Sequence, residues 1–200
     1  MTAADAGARR ATTTVGRFAL RTLGWLPVAF AIWYVAAPAI LYPVALIVRG
    51  VAYAAMRGLV AGVEQSRAVV TFVTTLKLAA FTPRAVLTVD VNMLLYAFGL
   101  PLFAALTLAA HERNWRRHLA VGYAFLLPLI AGCVLADFLK NVTITAGPTI
   151  AAQTGFVAWQ REAIAFAFQF GSLILPAVAP AVLWVALHGR FVAALRPRAG

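Results

Sequence analysis

The sequence predicts an all-α polytopic membrane protein: four transmembrane helices, both termini cytoplasmic, an outer amphipathic helix and a small extracytoplasmic β-sheet. Three observations predict it. First, Thr22–Val48, Val91–His111, His118–Ala136 and Ala163–Gly189 run without a formal charge, and a hydrocarbon core of about 30 Å needs roughly 20 apolar helical residues. Second, 63% of the 200 residues are hydrophobic and mean hydropathy is +0.87, which leaves no room for a separate soluble domain of ~100 residues. One membrane domain, 1–200, is expected. Third, the basic residues cluster at the ends of the apolar runs. Arg9, Arg10, Arg17 and Arg21 precede the first, Arg113, Arg116 and Arg117 crowd the short link between the second and third, and Arg190, Arg196 and Arg198 follow the last. By the positive-inside rule these three groups face the cytoplasm.

The net charge of +11 is accounted for by this placement and by anionic headgroups, so no nucleic-acid partner is expected; no recognition module accompanies it. The lipid bilayer is the first partner. Residues 1–19 read as a cytoplasmic tail. The first span, about 20–42, contains Pro27, Pro38 and Pro43; a helix reaching Val48 would exceed the bilayer, so the chain is expected to leave it near Tyr42-Pro43. Trp33 and Tyr34 should pack inside, with Tyr42 at the outer interface. The outer segments are 44–90 and 139–162.

From Val44 to Ser66, Ile47, Val51, Ala55, Leu59 and Val63 recur every four residues along one helical face. The pattern suits an amphipathic helix on the outer leaflet and equally a helix packed over the bundle. Ala68–Leu78 and Ala85–Val91 are rich in β-branched residues and flank Phe81-Thr82-Pro83-Arg84, a hairpin signal. An isolated hairpin is marginal, and Asn141–Thr145, NVTIT, is the expected third strand. Spans at about 91–110 and 118–138 are joined by the tight HERNWRR link and must be antiparallel neighbours. The fourth, about 163–187, is bent by Pro176 and Pro180.

Chemistry is sparse. His111-Glu112 begins a zinc-protease pattern, but position 115 is Trp, His118 comes seven residues after His111, and arginines intervene. No metal site or cofactor is expected. Cys133, the only cysteine, lies about 22 Å along its helix from His118 at 1.5 Å per residue, so a Cys–His nucleophile is disfavoured and no catalytic residue is named. Asp90, Asp137 and Glu162 fall at outer span ends rather than mid-membrane, where ion pathways place charge. Asp137 and Lys140 can pair on one helix face, and Asp90 can meet Arg84 or Arg67. Candidate partner-contact residues in this layer are Arg67, Thr74, Lys77, Arg84, Asp90, Asp137 and Lys140. Intramembrane polar or packing candidates are Asn92, Tyr96, Gly99, Pro101, Gln169, Pro176 and Pro180, interhelical hydrogen bonds being worth ~0.6 kcal/mol each. Asn141-Val142-Thr143 is a formal glycosylation acceptor, meaningful only in a eukaryotic host.

The order of local features, LGWLPVAFAIWYVAAPAILYP, then VTTL, then VNMLLYAFGLPLFAALTLA, then FQFGSLILPAVAPAVLW, resembles the exosortase H-associated membrane protein family. Its shared features are Trp33, Tyr34, Pro38, Asn92, Tyr96, Gly99, Pro101, Gln169, Pro176, Pro180 and Trp184, packing rather than reactive groups. The resemblance implies a bacterial inner-membrane protein accompanying an exosortase, a transpeptidase-like enzyme that processes proteins with C-terminal sorting tails. The expected role is a non-catalytic accessory protein acting through its extracytoplasmic layer, with an exosortase or its sorting-tail substrates as partners. The alternatives are a small transporter or channel subunit with proline-broken helices around a polar cavity, and a membrane enzyme using Cys133, Asp90 and Asp137.

Overall fold

A computed structural model describes residues 3–77 and 85–195. Helix α1 (Ala3–Ile40) is followed after one residue by α2 (Tyr42–Ala55); strands β1 (Val60–Ser66), β2 (Val69–Lys77) and β3 (Val86–Asn92) lead into α3 (Leu94–Ala97) and α4 (Gly99–Ala109). The rest is α5 (Trp115–Lys140), α6 (Pro148–Gln153), α7 (Ala158–Gln169), α8 (Leu175–Leu187) and α9 (Gly189–Leu195). Three continuous stretches are long and apolar enough to cross a membrane: Val15–Ala55, Trp115–Thr145 and Ala158–Leu187. Leu94–Ala109 is a shorter apolar helix, because residues 91 and 92, expected to open the second span, belong to β3.

The helices form a bundle in which α4 packs on α1, α5 and α8. One end collects Phe18, Trp184 and Phe191, with Phe18 and Trp184 stacked at 5.3 Å, and the α4–α5 link; this is the basic end. The other end carries the sheet. Outward residues such as Leu23, Ile32, Val35, Phe166, Leu173 and Val182 are exposed, as a bundle whose solvent is lipid requires. Tyr34 is among them at 68% exposure, while Trp33 is buried; adjacent helical positions lie about 100° apart, so only one of this pair can face inward. Tyr42 is exposed as expected.

The helix after Pro43 is shorter than its periodicity suggested and turned to another face. It ends at Ala55; Leu59 lies in the turn that follows and Val63 in β1. Val44, Ala45, Val48 and Ala52 are its buried residues, packed on α5 and β1, so it covers the bundle while Val51 faces out.

The sheet is an antiparallel meander ordered β1-β2-β3. Two strands fall within a residue or two of the sequence expectation. The third does not: NVTIT extends α5 as a π-helical turn, Asn141–Thr145, and Val60–Ser66 takes the strand position. Val142 and Thr143 are buried there, and the Thr143 hydroxyl donates to the Leu139 carbonyl at 2.7 Å. Burial between α5 and α6 overrides a local preference worth only ~1 kcal/mol. On β2, Val70, Phe72, Thr74 and Leu76 point inward, and Phe72 stacks on Phe138 of α5 with centroids 4.1 Å apart. The sheet is thus seated on the end of α5 rather than lying loose on a surface.

Candidate functional site

At the sheet end α5 carries Cys133, Asp137 and Lys140 along one side, with Asn141 one turn beyond Asp137. Asp137 is 8% exposed, a low value for a carboxylate, and its partners explain how it is tolerated. The Asn141 amide donates to Asp137 Oδ1 at 3.0 Å and to its main-chain carbonyl at 2.9 Å. The Lys140 ammonium lies 3.5 Å from the same Oδ1 and 4.3 Å from the centre of the Phe168 ring of α7. The expected Asp137–Lys140 pair therefore forms, but as a mostly buried knot joining α5 to α7 rather than as an exposed pair. Tyr96 of α3 is buried with its hydroxyl directed at Asp137.

Cys133 is held by the second π-helical turn, Phe170–Ile174. There the Leu175 N–H reaches back five residues to the Phe170 carbonyl. The Gly171 carbonyl would in turn need the N–H of residue 176, which is proline. That orphan acceptor takes the Cys133 thiol at 3.3 Å, and Gly171 Cα is where a side chain would meet Cys133. The thiol is thereby a structural donor, since a π-turn before proline leaves a carbonyl free.

The segments at the sheet end lock together above this knot. Gln153 of α6 both accepts from the Lys77 N–H at 3.0 Å and donates to the Lys77 carbonyl at 3.1 Å, so residues 148–153 are tied to the end of β2. Arg49 of α2 donates to the Val63 carbonyl at 3.0 Å. Asp90 accepts a hydrogen bond from Thr71 across the sheet at 2.6 Å, rather than meeting Arg67; Arg84 lies outside the described residues. Arg67 occupies the β1–β2 turn with φ +54° and is exposed, as are Lys77 and Asp90.

Thr74 cannot meet a partner. It is 1% exposed and its hydroxyl donates to the Leu87 carbonyl at 2.7 Å, because it shares the inward face of β2 with Phe72. Asn92 is exposed and its Oδ1 accepts from the Leu94 N–H at 3.0 Å, turning the chain into α3; Gln169 is exposed rather than turned into the bundle. The remaining candidates do pack: Pro101, Pro176 and Pro180 are buried, and Gly99 lies against the backbone of Pro176 and the ring of Pro180. Asn141, committed to Asp137, is not displayed as a glycosylation acceptor. Thr71 and Gln153 carry no local sequence signal, as their partners are 19 and 76 residues away.

Replacing Asp137 with asparagine keeps the shape but removes the charge facing Lys140, and we expect a loss of about 1 kcal/mol. Thermal unfolding in detergent checks this, with Lys140→Met expected to remove most of the difference between the Asp and Asn forms.

The family model described as exosortase H-associated membrane protein matches residues 12–191. No curated protein and no solved structure matches the chain.

Proposed function

This chain belongs to the exosortase H-associated membrane protein family, and we propose that it is a non-catalytic accessory protein acting through its sheet end on an exosortase or on the sorting-tail proteins that enzyme handles. The observation that carries this reading is the ordered layer of β1–β3, α2 and α6, packed onto α5 through Phe72 and Phe138. A bundle that served only to fill lipid would not need it. The reactive groups support the same reading. Cys133 donates to Gly171 and Asp137 is bonded by Asn141 and Lys140, so both are held in structural bonds, while Asp90 stands exposed on β3 with a hydrogen bond from Thr71.

In this reading Leu94–Ala109 serves as a fourth, short span that neighbouring helices and a thinner local bilayer accommodate. Both termini and the arginine-rich α4–α5 link then face the cytoplasm, by the positive-inside rule, and the sheet end faces outward from a bacterial inner membrane. The whole chain acts as one membrane domain. Arg67, Lys77 and Asp90 remain the contact residues, and Thr88 on the edge strand β3 is exposed beside Asp90. A transporter would need a polar cavity near the midplane; the small cavity between α4, α5 and α8 is lined by Leu100, Leu126, Leu129, Ile130 and Ala179 beside Tyr96 and Cys133.

A photoreactive residue at Thr88, crosslinked in the native membrane and read by mass spectrometry, is expected to capture the exosortase or a sorting-tail protein. Capture of lipid and of the chain itself alone would sink the accessory reading.

A further inference from the structure

At the basic end, three side chains from separate elements converge. α4 ends when His111 takes a left-handed conformation, φ +54°, the usual way to stop a helix and reverse the chain. The reversal folds Glu112 back over the first turn of α5, and its Oε2 comes within 3.3 Å of His118 Nδ1. α8 delivers His188 to the same atom, Nε2 standing 3.1 Å from His118 Nδ1. His188 is 1% exposed, its ring stacked on Trp184 at 5.1 Å, and its Nδ1 lies 3.0 Å from the Trp184 carbonyl. A carbonyl only accepts, so Nδ1 carries the proton and Nε2 presents its lone pair to His118. Metal-ligating histidines are oriented in this way, by a backbone carbonyl on the far nitrogen.

We propose that Glu112, His118 and His188 form a binding site for a zinc-class divalent transition-metal ion. One ligand atom from each lies within 4.8 Å of the others. Around a tetrahedral ion with bonds of 2.0–2.1 Å, ligand atoms are ~3.3 Å apart, and two of the three edges already stand at 3.1 and 3.3 Å. The third closes by rotation of the Glu112 side chain, which is 28% exposed. Without an ion, His118 Nδ1 has at most one proton for two acceptors, the Glu112 carboxylate and the His188 lone pair. A cation satisfies all three groups at once. Two imidazoles and a carboxylate suit zinc and its neighbours, with a water completing the tetrahedron; Glu112 also borders an open groove with Trp25, Leu108, His111, Arg113 and Trp115.

Arg113, Arg116 and Arg117 oppose a cation, but all three are exposed, where water's high dielectric holds a like-charge contact to ~1 kcal/mol, and Arg116 sits over the Trp115 ring. Bound metal would clamp the end of α8 to the α4–α5 link. This holds whichever partner the sheet end takes.

The test uses full-length, untagged protein in detergent, stripped with a chelator and titrated with Co2+, then with Zn2+ in competition. The expected result is one equivalent of Co2+ with the visible ligand-field bands of a low-coordinate nitrogen–oxygen site, displaced by Zn2+, and a raised unfolding temperature with either ion. His118→Gln and Glu112→Gln, both at partly exposed positions, should each weaken binding by more than about tenfold, while His111→Gln should leave it unchanged. His188→Gln adds the third ligand, read only if its helical content matches wild type. Failure of the wild type to take up stoichiometric Co2+, or undiminished affinity in both His118→Gln and Glu112→Gln, overturns the assignment.

Discussion

Replacing Phe72 with alanine is expected to lower the unfolding free energy by about 3–5 kcal/mol, the range for emptying a buried aromatic site. Phe72 is fully buried and its ring lies nearly parallel to that of Phe138, at 17°. Phe138 is also fully buried, so the cavity would be walled by a helix that has no room to collapse into it. The loss should be local first. Hydrogen exchange should accelerate across β1–β3 while α4, α5 and α8 stay protected, since the sheet meets the helices through this stack and the contacts of β1 with α2, β3 with α5 and β2 with α6. Phe72→Leu should recover roughly half of the loss. Exchange that rises equally in sheet and helices would mean that the two are one cooperative unit and that the stack is not the joint between them. If the sheet is the contact layer, crosslinking from Thr88 should fall with the sheet's protection.

Gly99→Ala is expected to cost about 3 kcal/mol, the upper end for overpacking. The added methyl would run into the main-chain carbonyl of Pro176 and the ring of Pro180. Neither can turn away: one is backbone, the other a ring fused to it. α4 and α8 would have to separate, and close approach of small residues is what holds helices together when lipid offers no hydrophobic drive. Gly132→Ala on α5 is the control. A side chain there meets nothing within 4 Å, so the change should be neutral or stabilising by up to ~1 kcal/mol, the helix propensity gain. Thermal unfolding in one detergent compares the two directly. Equal stability of both variants would mean that α4 and α8 are not packed through Gly99.

The elements that read correctly from the sequence are those whose signal is local and strong. β2 and β3 fall within a residue or two of the β-branched runs that announced them, since Val, Thr and Phe alternate there across a half-buried surface. NVTIT carries the same residue types and is helical, because it follows α5 without a break and its hydroxyl and amide groups bond back to Leu139 and Asp137. Val60–Ser66 contains Gly62, Glu64 and Gln65 and has little strand signal of its own; it is a strand because β2 offers it an edge. The candidate site divides similarly. Asp137 and Lys140 meet because residues three apart on a helix are neighbours, whereas no pattern near Thr74 tells which face of β2 meets α5.

By itself the sequence determined where the apolar segments run, which turns separate them, and that basic residues gather at one set of ends. Hydropathy summed over about 20 residues depends on no neighbour. Only the tertiary structure decided which faces are inward, which short β-branched run becomes a strand, and that Glu112, His118 and His188 share one point. His118 and His188 are 70 residues apart, and a contact between distant segments is specified by the packing of the helices that carry them rather than by any pattern near either residue.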